Sequence, residues 1–387
     1  MEILSRATRH VPVAHVEEID AMRPVAQALV IATHVLIFFG ANAPSFVPPD
    51  LLILTRVSRE SFFFISAFAL TYAYGSRPFA FAAFWRRRWS GILVPYLVWS
   101  VIYFVYTAAV AVPRFPYYHW SATSLVGVSA LAHLAVLVFT GYYHLYYLVV
   151  LVQFFVVFPL LWVWLEGARR WHGSIALGSF VLQCATDLAL RAHWLPGFFS
   201  GKVESRALVS YPLYLLTGMI AALRYDEIKA WLRRNAAGVA VFTFVFALAV
   251  LASAHVHLAT WFERFVAPHG DAFAAAALPY DVGAIAGLLL FGIASSSPST
   301  PRWWRRMTRA LALDSYGVYL SQMIWIPMLV RVVTRYQLAS RVPWPALLVG
   351  ALVTTYVLGV IFTEVVRRTP LAPLLVGRPR QRLITKS

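Results

Sequence analysis

The chain has 387 residues, 60% of them hydrophobic and only 13% charged, with a formal net charge of +17 and one cysteine. That apolar excess lies far outside soluble composition and indicates an all-α polytopic membrane protein with about ten transmembrane helices. A single Cys184 excludes intrachain disulfides and thiolate metal clusters, and basic residues placed between apolar runs mark topology and a phosphate-rich membrane surface, not nucleic acid.

In chain order, the opening MEILSRATRHVPVAHVEEID lacks an apolar leader core, so the first span is expected to stay as an anchor. The predicted spans are 24–41, 59–75, 91–112, 143–165, 173–190, 207–224, 236–254, 279–297, 313–333 and 345–366. An inside N-terminus puts most of the 33 Lys and Arg on the inner side, so both termini are expected in the cytoplasm. The expected division is a cytoplasmic tail over 1–22, a transmembrane domain over 23–366 and a basic cytoplasmic tail over 367–387 lying along the inner surface. Segment 124–140 is apolar enough to span, but an eleventh helix would invert every later loop. It is therefore expected as an outside-facing amphipathic or re-entrant helix.

The first span, IDAMRPVAQALVIATHVLIFF, carries His34 inside its apolar run. An ionisable residue there is costly and points to a function, against the simpler reading of a packed histidine satisfied by a neighbour. A continuous helix puts Arg23, Gln27, Val30 and His34 in one stripe, with Arg23 roughly 16 Å below His34. Pro24 offers the alternative of Arg23 at the helix mouth.

The second span, FFFISAFAL, interrupts its aromatics with Ser66 and Ala67, which admits either a close helix or a thin ligand. Next comes FWRRRWSGILVPYLVW, where Arg86, Arg87 and Arg88 stand between Trp85 and Trp89. Guanidiniums bind phosphates bidentately and indoles stack on an adenine; a topology signal within an aromatic belt is the other reading. The fourth span opens YYHLYYL, where Tyr143, His144 and Tyr146 suit either a sugar site or an interfacial belt. Near the end, Glu364 precedes Arg367 and Arg368 at ion-pairing distance along a helix. Asp187, Asp281 and Asp314 each fall near a span end, where capping or solvation explains them. The histidines lack zinc-ligand spacing, so no metal is expected.

Taken together, IDAMRPVAQALVIATH, FFFISAFAL, RRRWSGILVPYLVW, YYHLYYL, YPLYLLTGM and DSYGVYLSQ resemble the acyltransferase-3 family of bacterial membrane O-acyltransferases. The likeness runs from about residue 20 to 377, with Ala67 where that family has Gly and Gln322 where it often has His. It implies a stand-alone form in the bacterial inner membrane, transferring an acyl group, acetyl above all, from cytoplasmic acyl-CoA to a hydroxyl of a cell-surface carbohydrate or glycolipid. It also implies no permanently bound cofactor, with acyl-CoA, membrane lipids and a carbohydrate or lipid-linked acceptor as partners.

By that resemblance His34 and Arg23 are the functional pair, with His34 as general base or acyl-carrying nucleophile. Arg86, Arg87 and Arg88 join Arg23 on the donor phosphates, Ser66 lines the pantetheine path, and Gln27 and Glu364 support. Tyr143, His144 and Tyr146 are expected on the acceptor side. Two other readings compete. One is an exporter or flippase of a polysaccharide or lipid-linked sugar. The other is the second large fold of membrane O-acyltransferases, whose intramembrane His lies late in the chain.

Overall fold

The computed structural model of the chain describes residues 16–42, 49–74, 81–110, 127–192, 194, 203–255 and 274–380. Parts of the predicted tails (1–15 and 381–387) and of the predicted outer segments (193, 195–202 and 256–273) lie outside the described residues. The described chain is helical, with no strand among the described residues. In order the helices are α1 (Glu17–Asn42), α2 (Pro49–Thr55), α3 (Val57–Tyr74), α4 (Phe81–Arg88), α5 (Val94–Val110), α6 (Gly127–Thr140), α7 (Tyr146–Gly167) and α8 (His172–Arg191). There follow α9 (Pro212–Leu223), α10 (Tyr225–Arg234), α11 (Ala236–His255), α12 (Leu278–Ser295), α13 (Arg302–Arg335), α14 (Trp344–Arg367) and α15 (Ala372–Val376). A π-helical turn, Trp89–Leu93, joins α4 to α5.

Every predicted span falls on a helix, and eight of these helices are long and apolar enough to cross a membrane. The other two are α3, which carries Arg59 and Glu60, and α9. At 12 residues α9 is about 18 Å long, short of a bilayer core of about 30 Å. The predicted span 207–224 is corrected accordingly. Its first residues form a 3-10 turn, Leu208–Ser210, because Pro212 lacks the N–H that would extend a helix backward and instead starts one. Of the segment 124–140, the described part is α6, 14 residues or about 21 Å long, with Leu131 and Phe139 exposed.

Helix α1 sits in the middle, packed against α3, α12, α13 and α14. Apolar side chains such as Leu160, Phe244 and Ile361 are exposed on the periphery, as suits a lipid-facing surface. Without a hydrophobic force between helices in lipid, close backbone contact has to hold them, which needs small residues. The meeting of α3 and α9 shows this: a Cβ on Gly218 would lie 2.6 Å from the Phe64 carbonyl oxygen and 3.0 Å from the Ala67 Cβ. The small residues of FFFISAFAL thus serve both readings, with Ala67 packed on α9 and Ser66 turned elsewhere.

Candidate active site

Helix α1 continues through Pro24, which removes one hydrogen bond, to the Asp20 carbonyl, without ending the helix. Arg23 therefore sits in the second turn, not at a mouth, and Arg23, Gln27, Val30 and His34 share one face. Gln27 is fully buried, and neither of its amide atoms has a hydrogen-bond partner.

Around Arg23 the helices leave a chamber of about 380 Å³. Arg23, Arg87, Arg88 and Arg378 all contribute to its wall, together with Ser66 and Tyr147. A second cavity, of about 360 Å³, shares Arg23, Ser66 and Arg88. The triple-arginine segment and Arg23 thus lie at the same end of the bundle. None of these four arginines makes an ion pair among the described residues. The Arg88 guanidinium lies 5.7 Å from the Tyr74 ring centroid, and its Nε is buried without a partner. Arg86 departs from expectation. It is exposed and absent from the chamber wall, because two helical steps of about 100° separate it from Arg88. Trp85 and Trp89 stack on each other, with ring centroids 6.5 Å apart, and Trp85 Nε1 donates to the Phe155 carbonyl at 3.3 Å. Ser66 lies on the chamber wall, where its hydroxyl shares a hydrogen bond of 2.6 Å with Tyr147.

Farther along α1, His34 meets a second cluster. Its ring is 5.3 Å from that of Tyr143 and 6.1 Å from that of His144, and Gln322 of α13 lies against it. Neither amide atom of Gln322 makes a hydrogen bond of ordinary geometry, and His34 Nδ1 has none. His144 is only 2% exposed, and neither ring nitrogen makes a hydrogen bond of ordinary geometry. Its position is set by the backbone: Tyr319 donates to its carbonyl oxygen, and its ring stands edge-on to Tyr103 at 5.3 Å. The interfacial-belt reading therefore fails for His144, which packs beside the intramembrane imidazole. Tyr146 departs the other way, with the Arg206 guanidinium 5.8 Å from its ring and no contact with His34. Arg23 lies about 16 Å from His34 along the helix, so it belongs to the chamber and does not touch the imidazole.

The acyltransferase-3 family model, described as an acyltransferase domain, matches residues 16–364. The chain belongs to that family. It is a multi-pass membrane acyltransferase, as the sequence led us to expect. No curated protein and no solved structure matches the chain at a significant level.

The acyltransferase also holds residues whose placement its sequence hid. Arg378, beyond the family match, comes to the chamber from the basic tail expected to lie along the membrane. Burial, reinforced by the neighbouring Arg23 and Arg367 guanidiniums, pushes its guanidinium below the ordinary value. Arg367 Nη1 donates to Glu364 at 2.6 Å and to Asp314 at 2.9 Å, tying α14 to α13. Glu364 is thus a local ion-pair partner outside the chamber wall, and Asp314 is buried and paired, not solvated. Asp187 and Asp281 are buried too, accepting from Gln183 Nε2 and the Tyr214 hydroxyl, each at 2.8 Å. Capping explains none of the three.

Proposed function

We propose that this acyltransferase takes its acyl group, most simply acetyl, from acyl-CoA on the cytoplasmic side of a bacterial inner membrane. It passes the group to a hydroxyl of a cell-surface carbohydrate or glycolipid. The carrying observation is the chamber: half-buried Arg23, Arg88 and Arg378 and the exposed Arg87 converge on one cavity with no ion pair among the described residues, and cations gathered in this way attract an anion. Acyl-CoA is a polyanion whose phosphates suit bidentate guanidiniums. Its flexible pantetheine arm is the part that would cover the distance from Arg23 to His34, passing Ser66 and Gln27.

At His34 the acceptor hydroxyl attacks the thioester carbonyl while the imidazole takes the hydroxyl proton. The C–O bond forms, the C–S bond breaks, and the imidazolium returns the proton to the leaving thiolate, so the products are an ester and the free thiol. Gln322 would orient the imidazole, while Tyr143 and His144 would meet the acceptor. No resident cofactor or metal takes part in this scheme. Incubating the purified protein with acetyl-CoA carrying a labelled acetyl group and with cell-surface glycan tests the reading by mass spectrometry. An acetyl-sized mass gain on the glycan supports it, and glycan unchanged while another donor is consumed refutes it.

A further inference from the structure

The last described segment is clamped under the bundle. Ala372 and Val376 of α15 are fully buried, and the fully buried Trp99 donates from Nε1 to the Leu375 carbonyl at 2.8 Å. On the far side, Arg380 Nε donates to the Arg368 carbonyl at 3.1 Å. Between these fixings lies Gly377 with φ +63°, a left-handed conformation that favours glycine. A Cβ there would collide with the carbonyl oxygen of Gly91 and come within 3.1 Å of the Tyr316 ring.

The receiving surface is prepared in sequence. Gly91 belongs to the π-helical turn, and Pro95, four residues later, has no N–H to give the Gly91 carbonyl. Single π-turns often mark functional positions. Here the turn carries Gly91 and Ile92 into the chamber wall, and the strap that rests on Gly91 delivers Arg378 to the same wall. Arg378 is half-buried beside three other guanidiniums and makes no ion pair among the described residues; Asp20 and Asp314 offset part of the repulsion from a distance, and the guanidinium's hydrogen-bond donors are open to an anion in the chamber.

We infer that the strap Leu371–Arg380 is part of the donor site, with Arg378 contacting a phosphate of the donor and the Gly377–Gly91 contact positioning it. This inference rests on the acyl-CoA reading above. Its chemistry is phosphate recognition alone: Arg378 stays at the charged end of the molecule and leaves the acyl-transfer step to other residues.

The test is calorimetric binding of CoA and of pantetheine, which lacks the phosphates, to the full-length protein in detergent. The proteins compared are wild type, Arg378→Gln, Arg378→Lys and Gly377→Ala. Losing a charged hydrogen-bond pair should weaken CoA binding by Arg378→Gln roughly 10- to 100-fold. Pantetheine should bind that variant and wild type alike, and Arg378→Lys should recover part of the loss. Gly377→Ala should follow Arg378→Gln if it folds; the Arg378 variants carry the test without it. Equal CoA affinity in wild type and Arg378→Gln overturns the strap inference and leaves the donor reading standing. Failure of wild type itself to bind CoA overturns both.

Discussion

Two regions of this protein bury charge in opposite ways. In the chamber Arg23, Arg87, Arg88 and Arg378 face one cavity with no carboxylate paired to them among the described residues. In the second region every carboxylate has a donor. Arg59 Nε reaches Glu60 at 2.8 Å, Gln183 serves Asp187, and Tyr214 serves Asp281. The Arg59 guanidinium also lies 5.3 Å from the ring of Tyr211, and Asp187 and Asp281 sit in the field of Arg59 and Glu60. Carboxylates given donors within the protein, one from a guanidinium and two from neutral groups, link helices α3, α8, α9 and α12. Charge left unbalanced beside a cavity is available to a ligand.

Substitutions should separate the two kinds of region, and the largest effect belongs to the imidazole above the chamber. His34→Ala should lower turnover by roughly 10²–10⁴-fold with membrane insertion and CoA affinity unchanged, read by labelled transfer and calorimetry. Glu60→Ala should cost about 1–3 kcal/mol of stability, because it removes the carboxylate paired with the largely buried Arg59, and should lower the thermal midpoint in detergent. Arg23→Gln should do the reverse. It should raise KM for the donor by roughly 10-fold or more while the thermal midpoint holds, since a guanidinium that makes no ion pair among the described residues has gone. Should Arg23→Gln destabilise as Glu60→Ala does, the distinction between the regions collapses. The smallest effect is expected for Glu364→Gln, a half-buried pair one helical turn from Arg367. Its loss should be a few tenths of a kcal/mol, visible only as a slight midpoint shift.

Much of the architecture was legible because a bilayer demands long apolar runs, and each such run became a helix. The Arg23–His34 stripe was legible for the same kind of reason: helical periodicity survives Pro24 when neighbouring helices hold the backbone. What stayed hidden depends on contacts between distant segments. Nothing local tells that Asp281 meets Tyr214 or that Asp314 meets Arg367, so both read as span-end residues. Tyr147 stands in an aromatic run whose members look alike until the helix turns Tyr146 to Arg206 and Tyr147 to Ser66. Arg378 reads as one of several basic tail residues, and only the seat of Gly377 on Gly91 brings it inside. Gln322, set aside because it replaces a histidine, turned out to be the neighbour of His34.

The central claim is that a polyanionic donor lies in the arginine chamber with its acyl end directed to His34. A cryo-EM map of the purified protein with a non-hydrolysable acyl-CoA analogue tests it most directly. The account predicts phosphate density among Arg23, Arg88 and Arg378, with the acyl carbonyl beside His34. Density for the analogue at the opposite end of the bundle, near Arg59 and Asp281, would contradict it.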